Sequence, residues 1–143
     1  MDHLARQFPK DTAVQYCYLP TIRALLALNH KDSSKAIELL QAATPYELGT
    51  ASGLYPVYVR GEAYLAARQS SEAATEFQKI LDHRGVVQNE PIGALAHLGL
   101  ARAMQGDTTK AKAAYQDFLT LWKDADPDIP IFRQAKAEYA KLQ

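Results

Sequence analysis

The stretch "RGEAYLAARQSSEAATEFQKIL", residues 60 to 81, decides how this chain folds. It sets a small residue at Gly61, an alanine twelve positions later at Ala73, and a large ring four beyond that at Phe77. The same offsets appear on both sides of it. "RALLALNHKDSSKAIELL" (23–40) carries Ala24, Ala36 and Leu40, and "LGLARAMQGDTTKAKAAYQDFL" (98–119) carries Gly99, Ala111 and Tyr115. The alanines are spaced by 37 and 38 residues, so one pattern is used three times. A period of that length is the mark of a repeat architecture.

Each copy reads as a helix–turn–helix unit. Small residues let two helices approach closely, and Leu40, Phe77 and Tyr115 then fill the space between one unit and the next. Large apolar residues continue at three- and four-residue steps through Ile37, Leu40 and Ala43, through Phe77, Ile80 and Leu81, and through Tyr115, Phe118, Leu119 and Trp122. Ser, Thr and Asp ahead of each alanine suit the first turn of a second helix, where side-chain oxygens accept otherwise orphaned N–H groups. Pro56 and Pro91 suit the opening turns of first helices. Pro20 either kinks a helix that starts near Asp11 or opens one that starts near Leu19.

Bulk composition narrows the function. At 143 residues the chain fits one domain, and its 16 basic and 16 acidic residues cancel. No positive field is available to draw nucleic acid or an anionic membrane surface. No apolar run approaches the ~20 residues that span a bilayer, and "MDHLARQFPKD" lacks the apolar core of a signal peptide. The chain reads as a soluble module. The single cysteine, Cys17, excludes an internal disulfide framework and is expected to pack as a small buried hydrophobe. His3, His30, His83 and His97 are scattered, and none has metal-ligand spacing with Cys17. No nucleophile elbow, phosphate loop, zinc-protease motif or kinase motif occurs, so no catalytic residue, metal or cofactor is expected.

The three stretches resemble tetratricopeptide repeats: Leu98-Gly99, Gly106-Asp107, Ala111 and Tyr115 follow that family's spacing, as do Gly61, Tyr64, Ala73 and Phe77. Arg23 and Arg60 stand where the family usually has an apolar residue, and Arg102 where it has an aromatic. Their stems are expected to snorkel along the interface. The resemblance implies an all-α fold of antiparallel helix hairpins stacked in a right-handed superhelix. In it, 1–10 end a preceding repeat, 11–46, 51–84 and 89–123 form three repeats, and 129–143 form a C-terminal capping helix. That last helix should bury Ile131, Ala135, Tyr139 and Leu142 and turn its lysines outward.

The concave face of such an array is lined by first helices, which implies a groove for a peptide or protein segment. The inward candidates are Tyr18, Thr21 and Leu25 on the first unit. Tyr55, Tyr58 and Glu62 belong to the second, and Ala96, His97 and Leu100 to the third. Tyrosines suit binding because a rigid ring carries a polar handle. With tyrosine, glutamate and histidine in place of lysine and asparagine, an apolar or aromatic segment is expected rather than a terminal carboxylate. "LPTIRALLALN", "GLYPVYVRGEAYLAA", "FQKILDHRGVVQNEPIGALAHLGLARA" and "AAYQDFLTLWKDADPDIPI" are also similar to the C-terminal repeat region of bacterial eukaryotic-like serine/threonine protein kinases, a type frequent in acidobacteria. This resemblance implies a scaffold or regulatory part of such a kinase, with the catalytic domain elsewhere. Similar tails follow winged-helix domains, so a ligand-sensing or self-association module of a transcriptional regulator is the alternative. Direct contact with nucleic acid or membrane is not expected, and homo-oligomerisation is a further partner class. Location is cytoplasmic, or extracytoplasmic if a membrane span lies upstream in a longer parent.

One polar stretch, "DHRGVVQNEP" (82–91), looks chemical but reads as a hinge between the second and third units. Gly85 is expected to provide a left-handed helix cap and Asn89 an N-cap, with His83 and Arg84 complementing a helix C-terminus. The 38-residue spacing from Gly61 to Gly99 exceeds the family's about 34 by about four, and the surplus falls here.

Overall fold

Two aspartates show how the chain starts its second helices. The computed structural model describes residues 2–49 and 53–143, and in it Asp32 and Asp107 accept from the backbone N–H groups of Lys35 and Lys110, at 2.9 and 3.2 Å. Each carboxylate satisfies a donor that the helix leaves orphaned. The helices they open are α3 (Ser33–Leu40) and α8 (Thr108–Leu121). The matching position ahead of α5 (Ser70–Asp82) is Gln69, with nearly the same backbone as Asp32 but no side-chain cap. The hydroxyl residues that follow fall inside the first turns; the cap is the residue before them.

The turns into α3 and α5 share a second device. Lys31 and Arg68 both take left-handed backbone, with φ of 61° and 60°. The next amides, Asp32 and Gln69, bond to Ala27 and Tyr64 carbonyls, each at 2.9 Å, which closes the preceding helix. Those preceding helices are α2 (Leu19–Asn29) and α4 (Tyr55–Ala66), and the third of the kind is α7 (Ile92–Ala103). Pro56 sits in the first turn of α4, and Pro91 directly precedes α7. Shorter helices α1 (Asp2–Gln7) and α6 (Arg84–Val87) and the final α9 (Pro130–Ala140) complete the set, and no strand occurs among the described residues. The all-α expectation holds. The start of the second unit at 51 and Met1 lie outside the described residues.

Pro20 is accommodated by a widened turn. Asp11 accepts from the Val14 N–H at 2.9 Å, and residues Ala13–Tyr18 form a π-helical stretch that runs straight into α2. The Leu19 N–H reaches back five residues to Val14. Proline has no N–H to donate and would crowd the carbonyl four residues back, and the wider turn moves that carbonyl away. Both readings of Pro20 are thus partly realised: the helix begins near Asp11, and the regular α part opens at Leu19.

Packing follows the small residues. α2 packs on α3, α4 on α5 and α7 on α8; α3 also meets α4, and α5 meets α7. Ala24, Ala36, Ala73 and Ala111 are wholly buried, as are Leu40 and Phe77, and Tyr115 is nearly so. The Phe77 ring lies against Gly61 and Gly99 together. A Cβ at Gly61 would stand 2.8 Å from that ring, and one at Gly99 2.5 Å. Only glycine lets both helices close on Phe77.

Three expectations need correcting. Arg60 does not snorkel: it is 3% exposed and paired with Glu47 at 2.8 Å and Glu76 at 2.6 Å. Lys79 joins Glu47 from the other side at 2.8 Å, so the cluster pins the segment between α3 and α4 onto α4 and α5. A buried guanidinium needs such partners, because desolvation would otherwise expel it. Gly85 is not a left-handed cap, since it lies within α6; nor is Asn89 an N-cap, since α7 starts three residues later behind Pro91. In α9 Phe132 and Ala135 are buried, and Ile131, Tyr139 and Leu142 pack partly buried against the same core, as expected; the exposed Lys136 lies 3.9 Å over the Phe132 ring. Glu138 fastens α9: it accepts from Arg102 at 3.0 and 3.1 Å and from the Tyr115 hydroxyl at 2.9 Å.

Two measurements check these assignments. Gln69→Asp supplies the missing cap and should stabilise the protein by about 1 kcal/mol in urea unfolding. Gly99→Ala should cost about 1–3 kcal/mol through overpacking, and Phe77→Leu should recover part of that loss in the double variant, because the two sites share one space.

Candidate functional site

The residues expected in a groove divide by burial. Tyr18, Leu25 and Tyr55 are exposed, at 44%, 45% and 39%. Thr21 and Leu100 are each 8% exposed and offer almost no surface; the Thr21 hydroxyl is occupied by the Cys17 carbonyl at 2.6 Å. Ala96 is wholly buried. Those three positions are therefore corrected from groove lining to packing. Tyr58 is half-buried, its ring edge-on to Phe77 at 5.9 Å.

Helix α2 carries the surface that remains. Its inward side buries Leu19, Pro20, Thr21 and Ala24. On its outward side Ile22 and Leu26, 41% and 42% exposed, join Tyr18 and Leu25. Positions 18, 22, 25 and 26 share one helical face. Nearby, Tyr16 stacks on Tyr46 with ring centroids 4.8 Å apart, and Leu48 is 51% exposed. Ile22 and Leu26 escaped the sequence reading because "LPTIRALLALN" is apolar on every side, so periodicity assigns it no single face.

Glu62 stands one turn beyond Tyr58 on α4, facing Arg102 of α7. One of its carboxylate oxygens, Oε1, is buried without a hydrogen-bond partner. Burial pushes the Glu62 carboxyl above its ordinary value, although the Arg102 charge pulls it down. Burial also raises the Tyr58 hydroxyl, and the Glu62 charge adds to it. Across Arg102 the order reverses. Burial alone would raise Glu138, but the hydrogen bonds from Arg102 and Tyr115 hold it below its ordinary value.

His97 lies elsewhere, in a pocket of about 500 Å³ between the end of α5, α6, the start of α7 and the last turns of α8. The polar stretch 82–91 builds one wall. His83 closes α5, its Nδ1 2.7 Å from the Lys79 carbonyl, and α6 follows at once from Arg84. Val87 then turns into Glu90, whose N–H returns to the Val87 carbonyl at 3.1 Å. Gln88 at that corner has φ 53° and ψ −123°, backbone that side chains other than hydrogen rarely adopt. A Cβ at Gly93 would stand 3.0 Å from Val87, so α6 leans directly on α7. Tyr55 closes the rim, donating its hydroxyl to Glu90 at 2.8 Å. This stretch is therefore a connection between two helix pairs and a pocket wall at once.

Among the described residues no cluster of three or more His, Cys, Asp or Glu side chains has the geometry to hold a metal ion, and no helix is long and apolar enough to cross a membrane. Comparison with known proteins returns no matching family model, no matching curated protein and no matching solved structure.

Glu62 gives a pH dependence with a defined sign. A carboxyl whose folded value is raised costs nothing below the unfolded value near 4.5 and destabilises above its folded value. Glu62→Gln should therefore raise the thermal midpoint at pH 7 and leave it unchanged at pH 4, as read by circular dichroism melts at the two values.

Proposed function

We propose that this chain is a non-catalytic protein-interaction module of the tetratricopeptide type, whose helix pairs stack as a right-handed superhelix ending in the α9 cap. The observation that carries the binding role is α2. A helix that is apolar all round belongs inside a protein or at an interface, yet α2 is buried on one side and open along Tyr18, Ile22, Leu25 and Leu26. A contiguous apolar patch of this kind marks a contact surface. The partner that fits is a helical or extended peptide segment presenting apolar or aromatic side chains, held by rigid anchors such as Tyr18.

The small–small–large offsets and the buried alanines support the repeat class. The resemblance to kinase C-terminal repeats supports a scaffolding or regulatory place in a bacterial serine/threonine kinase, with phosphotransfer belonging to another part of such a protein. The second reading, a ligand-sensing module of a transcriptional regulator, draws on the pocket beside α6.

A peptide library displayed on phage and selected on the wild-type protein tests the α2 face. Leu25→Ser with Leu26→Ser alters exposed side chains only, so the melting profile should stay the same while selected peptides lose at least tenfold in affinity. Unchanged affinity for every selected peptide places the binding surface elsewhere.

A further inference from the structure

The pocket beside α6 holds two opposite charges that do not neutralise each other. Arg84 opens α6, is exposed, and makes no ion pair among the described residues. Asp117 on α8 faces only the His97 ring, 3.6 Å away. Burial holds the His97 imidazole below its ordinary value; Asp117 opposes that and Arg84 reinforces it, so the ring is neutral at pH 7. His97 thus lies within the field of both charges and cancels neither. The third charge on the rim, Glu90, already accepts the Tyr55 hydroxyl.

Beneath these groups the open surface is apolar, from Leu81 and Leu121, with Val87 buried behind them. A volume of about 500 Å³ is within the usual range for small-molecule sites. The wall is also rigidly and expensively made. Gln88 is held in left-handed backbone, and Gly93 admits Val87 at contact distance. Strained backbone of this kind concentrates where a ligand is clamped.

We propose that this pocket binds a small zwitterion with an apolar body, an α-amino acid with a large side chain, its carboxylate on Arg84 and its ammonium on Asp117. The neutral His97 ring offers a hydrogen bond between the two, and the side chain lies on Leu81 and Leu121. The charge pattern sets the selectivity. A zwitterion pairs with both charges at once, whereas an acid alone engages only Arg84 and an amine alone only Asp117, so each gives up one of the two charge contacts. The proposal is independent of the α2 face.

Isothermal titration of the full chain with L-phenylalanine, 2-phenylethylamine and 3-phenylpropanoate at pH 7.4 tests it. The three share one apolar body and differ only in charge. Phenylalanine should bind saturably and at least tenfold more tightly than either relative. Arg84→Ala should abolish its advantage over the amine, and Asp117→Asn its advantage over the acid. Both positions are exposed, so circular dichroism melts should match the wild type. Leu25→Ser with Leu26→Ser should leave phenylalanine binding intact, which separates this site from the peptide surface. Absence of saturable binding by phenylalanine overturns the proposal. So does equal binding of the acid or amine, or indifference to both pocket variants.

Discussion

The Phe77 ring, wedged between Gly61 and Gly99, is the contact on which the packing turns. It belongs to α5, yet it is covered by α4 from its own pair and by α7 from the next. Neither helix pair can bury it alone. Removing a buried phenylalanine ring costs about 3–5 kcal/mol in a well-packed core, a large share of the stability of a chain this size. The two glycines carry the same burden from the other side, because a single methyl at either would drive the helices apart. Coupling between units is thus concentrated in one ring and two absent side chains.

Around that apolar joint the fold is fastened by charge. Arg60, Glu47, Glu76 and Lys79 secure the segment before α4, and Arg102, Glu138 and Tyr115 secure α9. These clusters are directional where the apolar core is not. Each fixes one loop or one terminal helix in one place, at the desolvation cost that burial imposes. Glu62 shows the cost uncompensated: it shares Arg102 with Glu138, and Glu138 holds the hydrogen bonds.

The sequence made the helix pairs legible because their cause is local and repeated. Ala36, Ala73 and Ala111 each precede a large residue by four positions, and one offset suffices to predict a close approach and the side chain that fills it. Arg60 was harder. An arginine in an apolar register suggests a stem lying along a surface, and its true partners are distant in sequence: Glu47 is brought by the folded loop before α4 and Glu76 by the packing of α5. The outward face of α2 was obscured by excess of signal, since apolar residues occur on every side of that helix. The stretch 82–91 could be placed as a connection between two helix pairs from its position alone. Its role as a pocket wall depends on Asp117 and Leu121, which approach from α8 and leave no local trace in the chain.

The widened turn before Pro20 has a consequence of a different kind. Cys17 sits within it, 3% exposed, and is the chain's one thiol. A π stretch departs from the regular helical ladder, and this one packs on α1, on α2 and on the segment after α3. A thiol-reactive reagent can reach that sulfur only when the turn parts from α2's neighbours. The protein therefore contains its own clock for the opening of its N-terminal end, one that keeps time separately from the core around Phe77.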